Sequence, residues 1–334
     1  MIEFWNTLAR LLQGGEKVFL ALVAEHTRHS PGTTGARLLV SEQHTMMGTI
    51  GGGIMEHRLI ERAGAILQQA DFTPEIQTLS HTAKGDGEKS GMICAGSQTN
   101  LYYLCRPQSD ADAISAAAHL TERDAPGSLT ISRRGLTVDP ADYDPHSAPF
   151  SLTRDGDSWT YREQLLNMRR IAIIGGGHCS LALSQVMSLL GFVVTVFETR
   201  AAVQPLQQNV WATSVQVVPD YRAAGPLISF PQLTPVVIMT TDMPSDVSGL
   251  AGALPLPFPF IGVMGSRAKL AAIFERLEGQ RLDPAKYPNL RAPVGLPIQS
   301  HTPAEIAVSV AAQIIAEELG TPSVPASRPL EAAA

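Results

Sequence analysis

Apolar positions along the chain follow two rhythms. Phe4, Trp5, Leu8, Leu11 and Leu12 recur at helical spacing, which predicts an amphipathic first helix stopping at Gly14-Gly15. Residues 18–25 form a nearly continuous apolar run, the pattern of a buried strand. Further strands are expected over 36–40, from Thr45, over 75–79 and over 99–104, with helices to Gln69 and over 110–123. Residues 124–163 break into short strand-like pieces rich in Pro, Asp and Gly. They are expected to finish a first sheet and cross to a second domain.

From Arg170 the pattern changes to alternating strand and helix. Ile171-Ala172-Ile173-Ile174 leads into Gly175-Gly176-Gly177-His178-Cys179-Ser180, then an apolar helix pattern to Gly191, then Phe192 to Glu198. Strand, glycine turn, helix, strand and a closing acid 21 residues after Gly177 form a nucleotide-binding βαβ pattern. Gly175 and Gly177 would leave room for a pyrophosphate at the helix N-terminus, and Glu198 would take the ribose hydroxyls. Ser180 stands where the third glycine of the fingerprint would be. The alternative is a tight turn that binds nothing. Strands over 215–218, 236–240 and 260–264 follow, ending at Thr241-Asp242 and Gly265-Ser266-Arg267 on the same carboxyl edge. Arg267 there reads as a phosphate ligand or as a solvated helix start. Thr302-Pro303-Ala304-Glu305 combines a capping box with proline at the first helical position, opening a helix to about Leu319.

Composition narrows the classes. With 334 residues, 44% hydrophobic and 17% charged, the chain can bury two ordinary cores. A net charge of −6 without basic runs speaks against nucleic acid. Cys94, Cys105 and Cys179 lack disulfide or zinc spacing, which fits a reducing cytoplasm. No apolar stretch is long enough for a membrane span, and the first residues do not form a signal peptide. Residues 321–334, rich in Pro, Ala and Ser, are expected to be disordered.

Two features of the first half carry chemistry. Gly48-Thr49-Ile50-Gly51-Gly52-Gly53 precedes a helix, so Gly51, Gly52 and Gly53 form a second turn whose N–H groups suit an anion. Glu56 in the first helical turn is either a functional carboxylate or simply a favourable charge on the dipole. Residues 81–90 read as a polar loop leading to Gly91-Met92-Ile93-Cys94-Ala95-Gly96, where Cys94 is either a reactive thiol or a small buried hydrophobe.

These segments together resemble the XdhC/CoxI proteins, accessory factors for xanthine and carbon monoxide dehydrogenases. The resemblance rests on Ser30-Pro31 with Gly35-Ala36, the 48–53 turn with Glu56, and Gly91 to Cys94 in the first half. The second half adds Gly175-x-Gly177-His178, Glu198 with Arg200, Gly265-Ser266-Arg267-x-Lys269, Arg291 to Leu296, and Thr302 to Ser309. It implies an N-terminal α/β mixed-sheet XdhC domain over 1–166 and a Rossmann-like doubly wound parallel-sheet domain over 167–320. It also implies a cytoplasmic, commonly dimeric maturation factor, more a carrier than an enzyme. Such a factor binds the molybdenum cofactor (molybdopterin), supports its sulfuration with a cysteine desulfurase and delivers it to an apo molybdenum hydroxylase. Cys94 would contact molybdenum or handle sulfur, beside Glu56. Gly51, Gly52, Gly53, Gly175, Gly177, His178, Glu198, Arg200, Asp242, Gly265, Ser266 and Arg267 would line cofactor sites. His178 would donate to phosphate or cap its helix. The chain departs from the family at Gly32, Ala95, Cys179 and the missing His before Asp242. Two rival readings remain: an NAD(P)-dependent oxidoreductase, and a nucleotide-sensing regulator in which Glu198 selects NAD over NADP.

Overall fold

The structure is a computed structural model and describes residues 2–69, 71–80, 96–145 and 147–318. The loop expected over 81–90, the Cys94 segment and the tail from 321 lie outside the described residues. The chain divides into two compact units, Met1–Asn167 and the remainder from Met168.

The first unit begins with α1 (Ile2–Gln13), whose Phe4, Trp5, Leu8 and Leu12 face inward as the spacing requires. Then come β1 (Val18–His26), β2 (Arg37–Ser41), β3 (Met46–Gly48), α2 (Gly53–Leu67), β4 (Glu75–Ser80), β5 (Ser97–Cys105) and α3 (Pro107–Glu122). Among the described residues the strands pair antiparallel in the order β3-β2-β1-β5-β4. The apolar run of β1 is explained by covering on both faces. Val18, Leu20, Leu22 and Ala24 join the core under α1 and α3, while Phe19, Ala21 and Val23 join the core under α2.

The pieces after α3 do not extend that sheet. β6 (Ser128–Ser132), β7 (Gly135–Asp139), β8 (Phe150–Asp155) and β9 (Ser158–Gln164) form their own antiparallel sheet in the order β7-β6-β9-β8. Leu129, Ile131, Trp159 and Tyr161 turn one face of it into the core shared with α1 and α3. The expectation that residues 124–163 would complete the first sheet is corrected here. They contribute a packed layer because their alternation leaves one apolar face to bury.

The second unit is a parallel sheet. Its strands are β10 (Arg170–Ile174), β11 (Val193–Glu198), β12 (Ser214–Val217), β13 (Val236–Ile238), β14 (Ile261–Val263) and β15 (Leu290–Arg291). The order is β12-β11-β10-β13-β14-β15 with every ladder parallel. Its helices are α4 (His178–Leu189), α5 (Gln204–Gln207), α6 (Ala224–Leu227), α7 (Met243–Ala253), α8 (Arg267–Gly279) and α9 (Pro303–Glu318). Alternate residues of β10 serve opposite cores: Ala172 and Ile174 on one face, Ile171 and Ile173 on the other. Strand order reverses at β10, so the crevice at its carboxyl end is the switch point where such sheets take ligands. The capping box of α9 forms as expected. Glu305 N–H donates to Thr302 Oγ1 at 3.2 Å, and Thr302 N–H donates to the Glu305 carboxylate at 2.9 Å. No helix among the described residues is long and apolar enough to cross a membrane.

Candidate functional site

β10 runs straight into Gly175, whose φ is +110°. A Cβ there would stand 2.6 Å from the Met239 carbonyl oxygen, so only glycine lets the chain turn against the end of β13. Gly177 differs. Its φ is −80°, and a Cβ would meet nothing within 4 Å. Packing within the chain does not require glycine at 177, and the space over it is open to an approaching group. α4 starts at His178 with no side chain capping its N–H groups and no acid in its first turn. Each of the neighbouring helices has a side chain accepting from its first turn. Asp242 accepts from Ser245 N–H at 2.9 Å at α7, and Ser266 accepts from Lys269 N–H at 3.3 Å at α8. Of these three helix starts on one edge, α4 alone has no side chain accepting from its first turn, so its N–H groups and dipole are available to an anion.

Glu198 does not face a ligand. It is fully buried, and its Oε2 accepts from Gly176 N–H at 2.8 Å. Oε1 accepts from Thr199 N–H at 2.8 Å, Arg200 N–H at 3.1 Å and the Tyr221 hydroxyl at 2.5 Å. The Arg200 guanidinium lies alongside, its Nε 3.1 Å from Oε1. Burial alone would raise this carboxyl. The hydrogen bonds from Arg200 and Tyr221, with the N–H groups of Gly176 and Thr199, outweigh it and hold the pKa at about 2. The expectation of a ribose-binding acid is therefore corrected: its lone pairs are committed to the turn it braces. What the end of β11 shows to solvent is the half-exposed Arg200 guanidinium.

Charge converges on this edge from three elements. Asp242 is held below the usual carboxylate range, first by Ser245 through its backbone N–H and side chain, then by the charges of Arg200 and Lys269. Lys269 Nζ lies 2.5 Å from the buried Asp246, which also accepts from Thr240 Oγ1 at 2.6 Å and so ties α7 and α8 to the end of β13. His178 and Arg267 are exposed, and neither side chain has a hydrogen bond or ion pair among the described residues. His178 does not cap α4. A Cβ at Gly265 would stand 3.3 Å from Lys269 Cδ, so the room beside it is small. Cys179, half-buried beside the turn, has its thiol pKa raised by burial.

The turn in the first unit is filled from within. Glu56 Oε2 accepts from Thr49 Oγ1 at 2.6 Å, Ile50 N–H at 3.0 Å and Gly52 N–H at 3.1 Å. The donors expected to cradle an external anion thus hold a carboxylate of the same turn, a correction that follows from Glu56 lying one helical turn downstream. Gly51, Gly52 and Gly53 all have positive φ, so glycine is required there by the backbone itself. Gln98, 1% exposed, locks this turn to the preceding loop. Its Oε1 accepts from Gly32 N–H at 3.0 Å and Ser30 Oγ at 3.0 Å, while its Nε2 donates to the Ile50 carbonyl at 3.0 Å and Asn100 Oδ1 at 2.8 Å. Cys94 lies outside the described residues, and Cys105 is buried core.

Sequence reasoning missed Tyr221, Asp246 and Gln98 as organisers of these turns. Lys269 stands in the same Gly-Ser-Arg-x-Lys run that flagged Arg267, so its signal was present. Tyr221 and Gln98 have no local signature, because their partners are remote in sequence.

Known proteins resemble the chain over both units. The family model described as the XdhC Rossmann domain matches residues 171–314, and that of the XdhC and CoxI family matches residues 11–78. An Escherichia coli K12 protein, the uncharacterized protein YqeB, is 24% identical over 291 residues, 86% of this chain. The chain spans about 40% of the length of that relative. A Bacillus halodurans crystal structure described as a xanthine dehydrogenase superposes with a TM-score of 0.73 at 20% identity, covering 98% of both chains, a likeness of fold. With both family models matching in order, one in each unit, the chain belongs to the XdhC/CoxI family.

Proposed function

We propose that the chain is a cytoplasmic maturation factor for a molybdenum hydroxylase of the xanthine dehydrogenase type. It binds the molybdenum cofactor, supports sulfuration by a cysteine desulfurase and passes the cofactor to the apo-enzyme, acting as a homodimer. The observation that carries the reading is the open space over Gly177 at the uncapped start of α4. A terminal phosphate of molybdopterin fits there by charge and size: free N–H groups meet its oxygens, and Arg200 and Lys269 lie on the same edge. When bound, the cofactor supplies the molybdenum centre for the client. The chain's own residues hold the phosphate. Glu198, Arg200 and Tyr221 keep the turn in shape to receive it.

The test is purification from a molybdate-fed host, with molybdenum and pterin assayed per chain, alongside Gly177→Val. Cofactor on the parent chain and its loss from a folded variant support the reading. A well-folded parent chain carrying neither molybdenum nor pterin, yet stabilised by NADH, overturns it in favour of the nucleotide-sensing regulator.

A further inference from the structure

A second cleft, within the first unit, has chemistry that the reading above does not use. It has a volume of about 480 Å³ and lies between the residues leading into β4, Tyr103 of β5, the first turn of α3 and the β6–β7 turn. That volume falls within the range of small-molecule sites, roughly 300–1,000 Å³. Three arginines are among the residues that line it, Arg106, Arg133 and Arg134.

Arg133 and Arg134 form the tip of a hairpin in which Ser132 pairs with Gly135. Tight hairpin tips favour Asn, Asp and Gly, whose backbones or short side chains satisfy the turn; two adjacent arginines add nothing to it. Here Gly135, at φ +134°, and Ser132 Oγ, accepting from Arg134 N–H at 3.2 Å, already serve the turn. Both arginine side chains are exposed and have no hydrogen bond or ion pair among the described residues. Two like charges held side by side at a cleft mouth repel unless something negative enters.

The acids nearby do not neutralise them. Asp110 is 2% exposed, and its carboxylate is committed to the Tyr103 hydroxyl at 2.8 Å, Arg106 N–H at 2.7 Å and Ser109 Oγ at 3.0 Å. Those three bonds close the start of α3. Asp71 stands fully exposed at the rim, 4.0 Å from Arg106. Among the charged residues lining the cavity the three arginines outnumber the two acids, Asp71 and Asp110, and guanidinium forks match tetrahedral or carboxylate oxyanions.

We propose that this cleft binds a phosphate-bearing small molecule, with Arg133 and Arg134 clamping its oxyanion over the Tyr103–Asp110 floor. The site stands independently of the α4 site and of the maturation-factor reading.

The experiment titrates the full chain, labelled with 15N at arginine and glycine, with inorganic phosphate and with pyrophosphate at low salt. Both anions can also enter the α4 turn, so resonances are read separately at Gly135 and at Gly177. Saturable shifts at Gly135 are expected. In Arg133→Ala/Arg134→Ala the affinity read there should fall at least about ten-fold, the worth of one charge-assisted hydrogen bond, with Gly177 unaffected. Arg133→Lys/Arg134→Lys keeps charge and loses the forks, and should retain part of the binding. It also serves if the alanine pair folds poorly. A response to pyrophosphate and not phosphate would assign a diphosphate-sized ligand; a response to both, a monophosphate. Shifts confined to Gly177, or affinity at Gly135 unchanged in both variants, overturn the proposal.

Discussion

Replacing Glu198 by Gln keeps the shape of the side chain and removes its charge. The carboxylate accepts from Gly176, Thr199, Arg200 and Tyr221, and its pKa stands at about 2 against an ordinary 4.5. A shift of that size corresponds to about 3 kcal/mol of stability at neutral pH. Arg200 is half exposed, so solvent screening lowers the expected loss to about 2 kcal/mol. Gln retains one acceptor oxygen but turns an NH2 group toward donors. The sign follows from a folded pKa below the unfolded one: the contribution is complete above pH 4.5 and is lost as the pH falls toward 2. About three-fifths of it is gone by pH 3. The chain has two units, so a single global unfolding curve would blur the effect, and native-state hydrogen exchange of the β10 and β11 amides is the suitable assay. Protection at pH 7 should fall about thirty-fold in the variant, the exchange equivalent of about 2 kcal/mol. The gap in protection between variant and parent should narrow steadily from pH 5 to pH 3. Equal protection at pH 7, or a gap that persists undiminished at pH 3, would refute the assignment of Glu198 as the charged brace of the turn.

Three further outcomes follow from the same geometry. Gly177→Ala should leave the melting temperature unchanged or slightly raised, since its Cβ has space and its φ is ordinary, while pyrophosphate affinity read at the Gly176 amide resonance drops. Gly175→Ala should cost roughly 1–3 kcal/mol in urea unfolding, because a positive φ and the Met239 carbonyl both oppose a Cβ; a neutral result would contradict the turn geometry. Glu56→Ala should destabilise the first unit by roughly 1–3 kcal/mol by stranding the N–H groups of Ile50 and Gly52, read as faster exchange of those two amides.

Much of the frame was legible because local patterns govern it. The run at 18–25 became the central strand β1, the βαβ signature became β10, α4 and β11, and the Thr302–Glu305 box caps α9. The two-residue strand β15 carries too few residues for any periodicity, and the separate sheet of β6 to β9 depends on long-range pairing that alternation does not encode. The candidate sites were legible as glycine turns but not in their polarity. Whether an acid near such a turn points outward to a ligand or inward to the turn's own N–H groups depends on partners such as Tyr221, 23 residues from Glu198, which spacing cannot reveal.

The two glycine turns differ in how far each can be moved as a unit. The turn at 175–177 is braced chiefly by Glu198 and Arg200, at the end of the same βαβ segment, with Tyr221 a short distance on. A stretch of some fifty residues carries its own support and is a natural cassette for grafting into another parallel sheet. The turn at 49–53 has Glu56 close by, but its position is set by Gln98, whose amide serves Ser30, Gly32 and Ile50 at once by donating and accepting together. A Glu at 98 would lack the donor and a Leu both functions. Transplanting that turn requires the loop at 30–32 and the start of β5 with it, so in engineering terms the first unit is indivisible where the second is modular.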